Sequence, residues 1–200
     1  MKPPAATSPD AARNWMSRNS SVAPGPVVTL AAQLTELLSL DGGSEELSAA
    51  MNRALHEHFS KNTQLGAGLE KVIKAAAQRG IPTAVLTGLP EEIAQTIFAA
   101  AGLECREIQL FVFSDEEKSF PRADAWLKAV KNLGKTPRFC IAFGSSHAAC
   151  KSALSVGMRA VAVPDAYTGH HDFSGADRVL DGWDDVNAVE LLNDLIPPLR

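Results

Sequence analysis

The chain has 200 residues, 46% hydrophobic and 21% charged, with a formal net charge of −4. That balance describes one ordinary globular domain with enough apolar residues for a core. It offers no electrostatic pull toward nucleic acid or an anionic membrane, and no apolar run reaches the roughly 20 residues a membrane helix needs. Cys105, Cys140 and Cys150 lack paired or metal-type spacing and read as reduced core thiols of a cytoplasmic protein.

Residues 1–26 are rich in Pro, Ala and Ser and have no apolar period, which predicts a disordered tail. Lys2, Arg13 and Arg18 against the single acid Asp10 would suit organelle targeting, but scattered prolines interrupt any amphipathic helix. From Val27 onward short apolar runs alternate with amphipathic segments. Val27–Leu30 is expected as a first strand. Glu45–Phe59 reads as a polar helix with Leu47, Met51, Ala54 and Leu55 on one side. Leu69, Val72, Ile73, Ala76 and Ala77 form a helical stripe that Gly80 stops. Pro82–Thr87 is a strand, and Pro90, Glu91 and Glu92 open the next helix, which faces the core through Ile93, Ile97, Phe98 and Ala101.

The second half repeats this grammar. Ile108–Phe113 is strand-like, and Ala123, Trp126, Leu127, Val130 and Leu133 form a helical stripe ending at Gly134. Phe139–Phe143 run into Gly144, Ser145, Ser146 and His147, which is the pattern of a buried strand, a tight turn and a helix. Arg159–Val163 is another strand and Arg178–Leu180 a short edge. Val189, Leu192, Leu195 and Ile196 mark a last helix, with Asp184 as its N-cap within the cluster Asp177, Asp181, Asp184 and Asp185. Strands alternating with helices predict an α/β fold, a three-layer Rossmann-like core with a parallel sheet covered on both faces. Right-handed crossovers then collect the loops after Leu30, Thr87, Phe113 and Phe143 on one rim.

The order of these segments resembles the haloacid dehalogenase-like (HAD) superfamily, and most of all its β-phosphoglucomutase and phosphoglycolate phosphatase branch. LGAGLEKVIKAAAQRGIPTAVLTGLPEE is similar to that family's helix, strand and second motif. FPRADAWLKAVKNLG resembles its Lys-Pro-x-Pro-Asp helix start, and FGSSHAACKSALSVGMRAVAVPD its fourth motif and following strand. YTGHHDFSGADRVLDGWDDV resembles the C-terminal segment. The resemblance covers most of residues 27–196. It implies a core over residues 27–200 with a reduced helical cap insertion at residues 38–65, too short to close fully over a substrate.

The resemblance also implies lost chemistry. Active members carry Asp-x-Asp at the end of the first strand, a nucleophile followed by a general acid–base. VVTLAAQL places Thr29 and Ala31 there, a poor nucleophile without a base and a group that transfers no proton. Phe120 fills the family's lysine position, with Lys118 two residues earlier. The acid pair that holds magnesium is replaced by Gly144 and Ser145, and a hard cation wants carboxylate oxygens. Thr87 and Gly88 survive as phosphate donors. The implied anion site is Thr87, Gly88, Lys118, Ser145 and Ser146, with no metal or other cofactor.

Other signals read as structural. Gly66–Lys71 (GAGLEK) does not follow a strand and is a turn with a helix start rather than a phosphate loop. His56 and His58, two apart on a helix, face different ways. His170, His171, Asp172 and Asp165 have metal-capable chemistry but fall in a loop, and His147 opens a helix. Ser145 and Ser146 lie beside His147 without a Gly-x-Ser-x-Gly elbow. The expected function is a catalytically degenerate HAD-like protein that binds a small anionic ligand or a protein partner. The alternative is a divergent phosphatase acting on a small phosphorylated metabolite, drawing on an acid such as Asp41 or Asp115, with Mg²⁺ only in that case. A weaker expectation gives the tail around Trp15 a recruiting role.

Overall fold

The structure, a computed structural model, describes residues 27–39, 43–113, 121–184 and 186–196. The tail with Trp15, and Asp41, Asp115, Lys118, Phe120 and Asp185, lie outside the described residues.

The chain begins with two helices, α1 (Val27–Leu38) and α2 (Ser44–Asn62). Helix α1 overturns the strand expected at Val27–Leu30. The β-branched run VVTL suggested a strand, yet Val27 and Ala31 are buried one helical turn apart while Val28 and Thr29 are exposed. Packing of that face against α2 outweighs the weak helix propensity of Val and Thr. Thr29 and Ala31 therefore stand on a helix, not at a strand end.

Helix α3 (Ala67–Gln78) follows the turn at Gly66, as the sequence reading expects. Its burial comes from Val72, Ile73, Ala75 and Ala76, whereas Ala77 is exposed. Gly68 has a specific duty, because a Cβ there would lie 1.5 Å from the Trp183 carbonyl oxygen. Gly80, with φ 61°, ends the helix in the left-handed region. Strand β1 (Ala84–Thr87) leads into α4 (Glu91–Ala100), with Pro90 as N-cap. Strand β2 (Gln109–Val112) pairs in parallel with β1, Ala84 opposite Gln109 and Thr87 opposite Val112.

Helix α5 (Ala123–Asn132) buries Ala125, Trp126, Ala129 and Val130. Leu127, expected on the core face, is 44% exposed. Strand β3 (Ile141–Gly144), helix α6 (His147–Ser155) and strand β4 (Arg159–Ala162) form a compact βαβ unit, Ile141 opposite Arg159 and Gly144 opposite Ala162. The Trp126 indole N–H donates to Ser152 Oγ at 2.9 Å and ties α5 to α6. The short strand β5 (Arg178–Val179) extends β4 in parallel, and helix α7 (Ala188–Leu195) closes the described chain.

Asn187, not Asp184, caps α7, its side chain accepting from Glu190 N. Leu191 is buried where Val189 was expected, and Val189 is 52% exposed. Asp177 also has another role. Its carboxylate accepts from Ala160 N at 2.8 Å and fastens β4. Cys150 is buried and Cys140 half-buried, both as free thiols, and burial raises the pKa of each.

The architecture is an α/β fold with all described strand pairs parallel, arranged as two half-sheets, β1–β2 and β3–β4–β5. Helix α3 packs with α7 on one face, where Val72, Ala76, Ala188 and Leu192 form a cluster joined by Ile141 and Phe143. On the other face Trp126, Val130, Ala142, Ala149 and Ala153 form a second cluster, which Leu86 of β1 joins.

Candidate functional site

In an open parallel sheet, ligands gather outside the carboxyl ends of the strands. Here those ends are Thr87–Gly88 after β1, Phe113 after β2, Gly144–His147 after β3 and Pro164–Asp165 after β4. Leu86 packs against the cluster containing Ala142 and Ala149, which brings the end of β1 up to the β3–α6 turn.

Thr87 is half-buried, and its Oγ1 accepts from Leu89 N at 3.1 Å. A hydroxyl keeps one donor when its oxygen accepts, so the turn orients Thr87 while its O–H stays available to an anion. Gly88 is half-buried beside it. Glu91 and Glu92 occupy the positive start of α4, so an anion at this end of the sheet meets opposing charge there.

The turn after β3 is more fully committed than its sequence suggests. Ser146 is only 8% exposed and is the N-cap of α6, its Oγ accepting from Ala149 N at 3.2 Å. His147 N–H donates to Nδ1 of His171 at 3.3 Å. Two of the helix's four orphan amides are thus already satisfied from within the protein. Of the pair proposed as anion donors, Ser145 alone is exposed at the rim.

His171 is the residue that the sequence reading missed. It was placed in a solvated loop, and no local signal could reveal a partner 24 positions away. Its pKa is lowered first by burial, then by the neighbouring His170 and His147, with Asp165 opposing. A neutral imidazole is the form that can accept from His147 N–H. The His147 ring in turn donates through Nδ1 to the Asp172 carbonyl oxygen. The loop's acids are tied down locally: Asp165 Oδ1 accepts from Tyr167 N, Thr168 N and Thr168 Oγ1, and Asp172 accepts from the Ser174 N–H and hydroxyl. These last bonds lower the pKa of Asp172.

Magnesium, expected only under the hydrolase alternative, does not fit this turn. Gly144 and Ser145 carry no carboxylate, and a Cβ at Gly144 would already lie 3.1 Å from Ala149 Cβ. Among the described residues no three His, Cys, Asp or Glu side chains converge to hold a metal. His56 and His58 lie on α2, His58 exposed and stacked edge-on against Phe59.

A family model described as haloacid dehalogenase-like hydrolase matches residues 10–157. The chain belongs to the haloacid dehalogenase-like hydrolase family. It is 29% identical over 189 residues to Protein CbbY of Cereibacter sphaeroides, a match covering 82% of this chain and 81% of that one. It is 31% identical over 113 residues to Protein CbbY of Rhodobacter capsulatus, covering 55% of this chain and half the length of that relative. The crystal structure of CbbY from Rhodobacter sphaeroides in complex with phosphate superposes with a TM-score of 0.74 at 19% identity, over 92% of this chain and 83% of that one. A structure from Haemophilus somnus described as a predicted phosphoglycolate phosphatase gives 0.71 at 15% identity, over 90% and 80%. The HAD-like fold resemblance agrees with these matches. Among the described residues no helix is long and apolar enough to cross a membrane.

Proposed function

We propose that this HAD-like chain is a divergent hydrolase that takes a small phosphorylated metabolite at the carboxyl ends of β1 and β3. The observation that carries this reading is Thr87, a half-buried hydroxyl oriented by Leu89 N at a strand end, in a chain of the hydrolase family whose relatives include CbbY. Thr87 O–H, the Gly88 N–H and Ser145 hold the phosphate, and Lys118 is the sequence's candidate for balancing its charge. Helix α2 falls within residues 38–65, the span expected as a reduced cap.

Hydrolysis needs a nucleophile and a proton donor. Asp165, after β4, has one carboxylate oxygen committed to its own turn. The acids that the sequence offers for the reaction are Asp41 and Asp115. A second reading is favoured by Gly144 and Ser145 at the turn and by the helix that carries Thr29 and Ala31. In that reading the site keeps its ligand without turnover, and the chain acts by binding a metabolite or a protein.

One experiment separates the two. Purified chain is assayed against a panel of small phosphate esters, with and without Mg²⁺, alongside Thr87→Ala and with equilibrium binding of inorganic phosphate. Turnover lost in Thr87→Ala supports the hydrolase. Thr87-dependent phosphate binding without turnover supports the degenerate site. Neither binding nor turnover rejects a phosphate site in either reading.

A further inference from the structure

Charge is distributed unevenly along this chain. Between Asp124 and Asp165 there is no acid, while Lys128, Lys131, Lys135, Arg138, Lys151 and Arg159 fall in that span. The net charge of the whole chain is −4, so this stretch stands against the overall balance. The fold places four of these cations along the end of α5 and the turn that follows it. Lys128 and Lys131 are exposed on α5, one turn apart and thus on one face. Lys135 comes one turn later, its N–H donating to Val130 O at 3.0 Å where the chain leaves the helix. Arg138 lies in the 3₁₀ turn Pro137–Phe139 just before β3. This surface is at the amino end of β3, whereas Ser145 lies past its carboxyl end, so it is separate from the phosphate rim.

Two apolar side chains stand beside these charges. Phe139 is 52% exposed, with the Arg138 guanidinium 4.6 Å from its ring centroid. Leu127, one turn before Lys131 on the same helix face, is 44% exposed. The Lys135 ammonium reaches the same turn, since it opposes the burial that raises the pKa of Cys140, the residue after Phe139. Among the described residues, none of Lys128, Lys131, Lys135 and Arg138 is ion-paired: the described salt bridges use Lys74, Arg106 and Arg178. The negative end of the α5 dipole accounts for Lys131 and Lys135. It does not account for Lys128, for Arg138 or for the exposed ring.

We propose that this surface docks an acidic segment of another protein, with Phe139 and Leu127 seating apolar side chains of that segment. Aromatic residues and arginine are enriched in protein interfaces, and the unpaired cations around the ring set the sign of the partner. An acidic segment with apolar residues between its carboxylates answers both features. Nucleic acid fits less well. The patch offers one aromatic ring, already covered on one face by Arg138, and the chain as a whole repels a long phosphate backbone.

The test is fluorescence anisotropy of the full chain with the labelled synthetic peptide Asp-Glu-Leu-Asp-Glu-Phe-Glu-Asp, run beside the same peptide with serine in place of its Leu and Phe. The parent peptide should bind, and added salt should weaken it. Binding should fall about fivefold in Lys135→Glu and about tenfold in Phe139→Ser or with the serine peptide. Lys71→Glu makes the same charge change on α3, across the sheet from α5, and should leave binding within about twofold. Lys135 is exposed, so its variant keeps the test valid if Phe139→Ser fails to fold. No binding, an equal loss in Lys71→Glu, or equal binding of the serine peptide would overturn the proposal. Tighter binding of a single-stranded oligonucleotide of equal charge would assign the surface to nucleic acid and overturn it as well. Salt-sensitive self-association of the chain, abolished by Lys135→Glu, would assign the surface to a second copy and also overturn it.

Discussion

At Nδ1 of His171 the β3–α6 turn acquires an acceptor that serves only while the imidazole is neutral. Its pKa is held below the ordinary 6.5, chiefly by burial. In the unfolded chain the ring regains its ordinary value, so below about pH 6.5 the unfolded state binds more protons and stability falls as pH drops. The bond to His147 N–H is lost as pH passes down through the lowered value. Protection of the 165–176 loop, corrected for intrinsic amide exchange, should therefore fall as pH drops below about 6.5. His171→Phe should flatten that dependence, and an unchanged pH profile in the variant would remove His171 from this role. Gly68 is a steric case. The Trp183 carbonyl occupies the space of a Cβ, and Gly68→Ala should lower stability by about 3 kcal/mol in urea denaturation. This glycine was legible in the sequence as part of a helix start, but its partner 115 positions away was not.

Among the elements, the helix stops were readable because each has a local cause. Gly80, Gly102 and Gly134 all adopt positive φ just past a helix. Starts and faces were less readable. Asp184 and Asn187 are both good N-cap residues, and only the backbone path into α7 selects Asn187. Leu127 and Val189 fit a helical stripe by period, yet the phase of the stripe is set by the neighbouring layer. VVTL is the largest miss, since its β-branched composition favours a strand and its contact with α2 imposes a helix. Ser146 illustrates the opposite case, a residue with a sequence-visible role that is structural. Ser146→Ala should cost about 1 kcal/mol through the lost cap, measured by thermal or urea unfolding. Circular dichroism should show the α/β signature retained.

Across the whole molecule, alternation of strands and helices made the α/β class readable, and the ordered motifs made the HAD likeness readable as well. The positions of Thr87 and Ser145 at strand ends were legible because each stands where an apolar run gives way to a turn. The gap between half-sheets was not legible, because it depends on which strands fail to meet. The polar rim with Thr87 lies outside the apolar cavity lined by Leu86, Trp126 and Phe143.

The most direct measurement is the turnover of small phosphate esters by the purified chain and by Thr87→Ala, each with and without Mg²⁺. The account predicts hydrolysis of at least one small phosphorylated metabolite by the parent chain, reduced about 100-fold or more when the Thr87 hydroxyl is removed. Folded protein with no turnover above background, or turnover indifferent to Thr87, would contradict it.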